Sequence, residues 1–398
     1  MNANIIIDDF KSLIDITALD VSFKDIDYSH VVQLTKLKIL DITWCDQLPI
    51  TSLFLNITGL TELNCAGTCI SDSDLSLLKI LNKLTISCSE SFIGHGLKNL
   101  KNLTDLDIMS SDDFDILNLI HVTSLVSLSL NTIELQSGMS LSLATIAKTC
   151  KKITKLTTNK YNFNDVVLLG FVNLTSLNIS DNQQIIGTGF VGMTNLSHLF
   201  LRDCNKVDNN NIGKMTTLTS LNISGPSFVP DIAILNLTKL TDLVLCKSYT
   251  DSPLSKLTNL QHLNIADNVS ITNAGIMHLT GLKTLIVGLN QLITRDVFQH
   301  LTCLTYLYIG DNKSMIMSSD DSKYFQKLTN LSMNFDSKID DLGIKKLTNL
   351  TELGLFDTIV SDDCVDNMIH LTTLYISNDN PLVTNYKKYL SRGIDVLY

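Results

Sequence analysis

The sequence predicts an α/β solenoid, with a curved parallel sheet along one side and short helices or 3₁₀ turns along the other. Three observations lead there. The segment Leu174-x-x-Leu177-x-Ile179-x-x-Asn182 recurs as Leu260-x-x-Leu263-x-Ile265-x-x-Asn268 and as Leu304-x-x-Leu307-x-Ile309-x-x-Asn312, and self-similarity at a fixed period marks stacked repeats. The composition suits short elements and many corners. About one in six of the 398 residues is leucine, while Ala, Glu and Arg are scarce and Asn, Asp, Ser and Thr are plentiful; these last favour caps and turns over long helices. Finally, the motif leaves no segment over for a second domain.

The strand of each unit is anchored by its second leucine: Leu19, Leu40, Leu63, Leu84, Leu106, Leu128, Leu156, Leu177, Leu199, Leu221, Leu243, Leu263, Leu285, Leu307, a slipped unit near Met333, Leu353 and Leu374. The spacing is mostly 20 to 23 residues, which makes about seventeen units. Leu177 and Ile179 alternate as strand residues directed into the core. The corner follows five residues after the anchor, at Cys45, Thr68, Asn182, Cys204, Asn268, Asn290 and Asn312 among others. Such side chains can satisfy buried backbone amides of adjacent turns. The second half of the unit is also patterned, with Ile271-Thr-Asn-Ala-Gly-Ile276 parallel to Ile339-Asp-Asp-Leu-Gly-Ile344. Thr272, Thr294, Ser71 and Ser361 stand where a helix N-cap belongs. Two units run long, at 134–150 and 313–327, and the first holds Leu141-Ser-Leu-Ala-Thr-Ile146-Ala, the best helical stretch in the chain.

This pattern resembles the leucine-rich repeat family over nearly the whole chain. The Leu-Thr-Asn-Leu-Thr runs are similar to internalin-type 22-residue repeats, and the Ile271–Ile276 half looks like the cysteine-containing repeats of F-box proteins, although no F-box is present. The resemblance implies a horseshoe or arc. The expected organisation is a single domain over 1–398: an N-terminal cap at 1–13, repeats over 14–380, and a C-terminal half-repeat at 381–398.

A net charge of −10 and no basic run argue against nucleic acid and anionic membrane as partners. No stretch approaches the ~20 apolar residues of a membrane span, and Met1 to Lys11 lacks the features of a secretory signal. Nine scattered cysteines suit a reducing compartment. The expected location is the cytoplasm, which is the host cytosol if the chain comes from a pathogen or virus.

Several motifs invite chemistry and do not hold it. Gly187-Thr-Gly189-Phe-Val-Gly192 spells a dinucleotide fingerprint, but that motif needs a strand running into it and a long helix after it. Here it fills the convex slot of a repeat. Cys65 and Cys69 invite a metal, yet Cys65 falls on a core position. Cys45 and Cys204 sit at corners. His198 and His262 lie three repeats apart, about 14 Å at the usual strand spacing, too far to share a metal. His278 and His300 are expected on an exposed edge. No catalytic triad, HExxH or phosphate loop can be assembled. No enzyme, cofactor or metal is expected.

The residues just before, one after and three after each anchor project away from the core and line the concave face. In the N-terminal third they include Asp20, Asp41, Glu62, Asp105 and Asp107, with Trp44 near the edge. In the middle they are small and polar. From His198 onward they include Phe200, Val244, Ile286, Tyr306, Tyr308, Phe356 and Tyr375. Outward aromatics gain nothing from the core, so a partner is one reason for a cluster; stacking along the sheet is the other. The candidate partner-binding residues are Phe200, Ile286, Tyr306, Tyr308, Phe356, Tyr375, Asp41 and Asp107. The expected function is a non-catalytic module, a monomer, that binds a protein on its concave face. The alternatives are a substrate-recognition subunit of a ubiquitin ligase, implied by the F-box-like repeats, and an extracellular adhesin.

Overall fold

The computed structural model describes residues 14–23, 31–45, 49–87, 92–109, 114–131, 139–158, 163–225, 229–245, 249–317, 319–333, 338–339, 341–356, 363–377 and 386–397. The N-terminal cap expected at 1–13 lies outside them. The repeats run through two compact units, Met1–Leu196 and Ser197–Tyr398.

In the first unit eight short strands, from Ala18–Asp20 to Ser176–Asn178, pair in parallel in chain order among the described residues. Their register is set by the anchors: Leu19 faces Leu40, Leu40 faces Leu63, and so on to Leu156 and Leu177. In the second unit ten strands, from His198–Phe200 to Asp395–Leu397, do the same. The anchor leucines are buried while their neighbours on the strand, Gly354 apart, are half-buried or exposed, the alternation that period-2 patterning requires. Helices and 3₁₀ turns of one repeat pack on those of the next, as strands pack on strands. Each unit is thus a leucine-rich-repeat solenoid with short elements throughout.

Two sequence expectations need correction. The fifteenth anchor is Leu331, which faces Leu307 on one side and Leu353 on the other. The unit near Met333 is therefore not slipped; Met333 takes the core position two residues on, where most other repeats carry Ile or Leu. Nor is the unit at 313–327 only a longer repeat: Ile316–Met317 pairs in parallel with Lys338–Ile339 as a separate two-stranded sheet. The other long unit holds the helix Met139–Thr149, where the sequence placed one. At the C-terminal end, the helix Tyr386–Ser391 leads into Asp395–Leu397, whose Val396 faces Leu374 as a further anchor.

The corner side chains do the work assigned to them. Asn182, Asn268, Asn290 and Asn312 are fully buried. Asn290 donates from Nδ2 to the Ile271 carbonyl at 3.1 Å, and its Oδ1 accepts from the N–H groups of Leu292 and Ile293 at 2.8 and 3.0 Å. Asn268 and Asn182 repeat the pattern on Tyr249 and Phe163. Each amide thereby holds its own turn and ties it to the preceding repeat. A second tie was not read from sequence. Threonines two residues before the anchor, such as Thr219, Thr241 and Thr351, donate their hydroxyls to a carbonyl 22 residues earlier.

The caps match in part. Ser71 and Asp74 form a reciprocal capping box, and Thr272 accepts from the Ala274 N–H. Thr294 occupies its cap position but accepts instead from Asn273 Nδ2, at 2.7 Å. Ser361 lies outside the described residues.

One corner position is strained. Four residues after the anchor the backbone is left-handed, and Asp181, Asp203, Asp267, Asp311, Gly67 and Gly225 fill it in most described repeats, with Phe23 and Trp44 in the first two. Leu289 holds the same conformation at φ 63°, which costs an ordinary side chain ~1–2 kcal/mol. Leu289 is half exposed, so little packing offsets that cost. Leu289→Asn is expected to raise stability by about 1 kcal/mol, read as a higher midpoint in urea unfolding.

Candidate functional site

Four of the aromatic side chains singled out in the sequence meet at one place in the second unit. Tyr306, Tyr308, Phe356 and Tyr375 line a pocket of about 250 Å³ together with Asn330, Leu331, Ser332, Glu352 and Gly354. Strand register explains the arrangement. The residues one after the anchor form the row Ile286, Tyr308, Ser332, Gly354, Tyr375, and those just before it form Thr284, Tyr306, Asn330, Glu352, Thr373. Tyr308 and Tyr375 are three strand spacings apart, about 14 Å, and the two residues between them are small. That gap between two rings is the pocket.

Glycine shapes it at two points. A Cβ at Gly354 would lie 2.7 Å from Ser332 Oγ and 3.3 Å from the Phe356 ring, so a side chain there would fill the floor. A Cβ at Gly288 would lie 2.5 Å from Tyr308 Cε1. Tyr308 therefore leans over bare backbone of the preceding repeat.

The electrostatics are simple. Burial pushes the Tyr306 phenol above its usual value, and the charge of Glu352 followed by Tyr308 and Tyr375 adds to this. The hydroxyl is neutral at physiological pH. Among the described residues no Lys, Arg or His pairs with Glu352. Its neighbours along the row, Asn330 and Thr373, are neutral.

The other candidates stand apart. Ile286 is next to Tyr308 in the row but does not line the pocket. Phe200 is five strand spacings from Tyr308, about 24 Å. Asp41 and Asp107 belong to the first unit, where Asp20, Glu62 and Asp105 give the sheet face its acidity. Asp41 also has a local role that sequence reading missed. Its Oδ1 accepts from the Thr43 N–H at 2.9 Å and its Oδ2 from Asn64 Nδ2 at 2.8 Å. Asn178, Asn222 and Asn264 close the same turn in their own repeats. An Asx residue recurring one position after the anchor was the available signal.

The dinucleotide-like glycines have an occupant within the chain. Asp165 of the preceding repeat accepts from the N–H groups of Ile186, Gly187 and Gly189 at 2.8, 2.9 and 2.6 Å. The amides that a phosphate would need are bonded to a carboxylate. Asp72 does the same for Ile93, Gly94 and Gly96, which identifies a structural clamp between repeats.

The histidines do not converge. His198 bonds its neighbour Ser197, His262 bonds Thr284, and His278 bonds the Leu254 carbonyl. Among the described residues no three His, Cys, Asp or Glu gather into a set that could hold a metal.

Cys45, Cys65, Cys150, Cys204 and Cys364 are buried cysteines outside any disulfide, while Cys69 is exposed and Cys303 half-buried. Burial, then the nearby Asp41 charge, pushes the Cys65 thiol far above the usual range. Burial pushes Cys150 up to about 11. The thiolate is the reactive form. At pH 8 a thiol reagent is therefore expected to label Cys69 and Cys303 in the native protein, and Cys65 and Cys150 only after unfolding. Peptide mapping by mass spectrometry reads this directly.

No protein-family model matches the chain, and no curated protein matches it. Solved structures do. TLR13 in its complex with ssRNA13 is similar at 16% identity, covering 92% of this chain and 67% of that one, with a TM-score of 0.57. The glycosylated Toll–Spätzle complex of Drosophila is similar at 18% identity, 92% and 55% coverage and a TM-score of 0.57. The chain spans about half of that Toll chain. A leucine-rich-repeat protein of Leptospira interrogans is similar at 18% identity over 98% of both chains, with a TM-score of 0.47. At these identities the first two likenesses establish the fold. Among the described residues no helix is long and apolar enough to cross a membrane.

Proposed function

We propose that this leucine-rich-repeat solenoid is a non-catalytic module that docks a protein on the open face of its sheet, with the aromatic pocket of the second unit as the contact centre. The observation that carries this is the convergence of Tyr306, Tyr308, Phe356 and Tyr375 on one pocket. Rings that merely shielded one another would close on each other, whereas these leave a cavity floored by Ser332 and Gly354. Half-buried tyrosines offer large contact area at small entropic cost. None of the described cysteines is in a disulfide, which fits a cytoplasmic setting. RNA, the ligand held by TLR13, suits this chain poorly, because a net charge of −10 repels phosphates. Neither the ligase-subunit nor the adhesin reading gains an observation from the structure.

The acidic sheet face of the first unit is read as steering a basic partner toward encounter. Asn closes the Asp41 turn in other repeats, so Asp41→Asn with Asp107→Asn removes charge and keeps the fold. This pair is expected to lower the association rate a few-fold and flatten its salt dependence, with the dissociation rate unchanged, in surface-plasmon kinetics. The test of the main reading is capture. Full-length protein and its Tyr308→Ala/Tyr375→Ala variant are used as baits in lysate from the native host. A partner retained by the first and lost by the second supports the docking face, and equal retention refutes it.

A further inference from the structure

Resting on that docking face, we infer that the pocket takes one arginine side chain of the partner polypeptide, its guanidinium held between the tyrosine rings and the Glu352 carboxylate. Size, charge and shape all point the same way.

The pocket is about 250 Å³, below the ~300–1,000 Å³ of sites that enclose drug-sized ligands. It fits a single side chain. Its walls are the rings of Tyr306, Tyr308, Phe356 and Tyr375, whose faces carry negative potential and attract cations. Its one ionisable acid is Glu352, which no cation of the described residues neutralises. An apolar guest would strip water from that carboxylate and leave it unpaired, at a large cost. A cationic guest removes the problem. The raised titration of Tyr306 fits, since Glu352 is one of the charges acting on it. Among cations, guanidinium suits the site best. Its plane stacks on a ring while its edge offers two parallel N–H donors to a carboxylate. An ammonium is a compact, more strongly hydrated charge, and a quaternary ammonium has no N–H to give Glu352.

The test uses blocked amino acids as probes, followed by NMR of ¹³C-labelled tyrosine in the full chain. N-acetyl-arginine amide is expected to shift the Tyr306, Tyr308 and Tyr375 signals saturably, in the millimolar range that suits a single side chain. The lysine analogue is expected to bind several-fold more weakly. The neutral citrulline analogue should be at least tenfold weaker. Glu352→Gln should lower arginine affinity at least tenfold with an unchanged melting temperature. Citrulline binding as tightly as arginine, or Glu352→Gln without effect, would overturn the assignment. Tighter binding of the trimethyl-lysine analogue would overturn it in favour of a quaternary ammonium.

The bait experiment above separates this inference from its premise. Partner capture that depends on Tyr308 and Tyr375, with no preference for arginine over citrulline, keeps the docking face and removes the arginine. Arginine selectivity with tyrosine-independent capture removes the docking role and leaves a cation pocket without it.

Discussion

Asn290→Ala is expected to destabilise the second unit by about 3–5 kcal/mol, near the upper end for a single substitution. The substitution deletes one donor and one doubly used acceptor in a fully buried corner. It leaves the Ile271 carbonyl and the Ile293 N–H buried without partners, each costing ~1–3 kcal/mol, while the N–H of the more exposed Leu292 turns to water, and relaxation recovers part of the total. The effect also crosses repeats, because the Ile271 carbonyl belongs to the preceding turn. Thr and Cys hold the equivalent corner at Thr68 and Cys45, so Asn290→Thr should cost about half as much. Urea unfolding of the three proteins measures this. A loss below 1 kcal/mol for the alanine variant would show that the ladder of asparagines is not what ties these turns.

The second large effect concerns binding. Tyr308→Ala and Tyr375→Ala are each expected to weaken partner binding by about 1–3 kcal/mol, roughly 5- to 150-fold in Kd. The two rings line one pocket on either side of the small residues Ser332 and Gly354, so a shared guest would touch both and their losses should not add simply. Stability should barely change. Leu307 and Leu374 fill the core beneath them, and both tyrosines remain only half-buried. Titration calorimetry with the captured partner, run beside thermal melts, checks both statements. A large drop in melting temperature would recast the tyrosines as structural.

The sequence carried the anchors because a strand buried on one face must repeat its apolar residues in register, and Leu177 and Leu263 do so visibly. The corner asparagines were legible for the same reason: a buried turn needs an amide, and only a few side chains supply one. Leu331 was missed because Met333 also sits in an apolar strand position, and register against Leu307 decides between them. The clamps made by Asp72 and Asp165 were hidden. Asp is common here, and nothing local shows that a carboxylate reaches amides 21 to 24 residues later. The outward phase of Tyr306, Tyr308, Phe356 and Tyr375 was readable. Their convergence on Glu352 was not, since the pocket exists through the absence of a side chain at Gly354. Asp41 shows the opposite case, a residue read as a surface charge that also closes its own turn.

A docking role requires that the open sheet face around these tyrosines be covered in the complex. Tyrosine-selective modification, with and without the captured partner and mapped by mass spectrometry, addresses it directly. Tyr324, half-buried in the 3₁₀ turn Asp321–Tyr324, is the internal control. Tyr306, Tyr308 and Tyr375 are expected to lose reactivity on complex formation while Tyr324 keeps its own; unchanged reactivity at all three, or protection of Tyr324 instead, would move the binding site elsewhere.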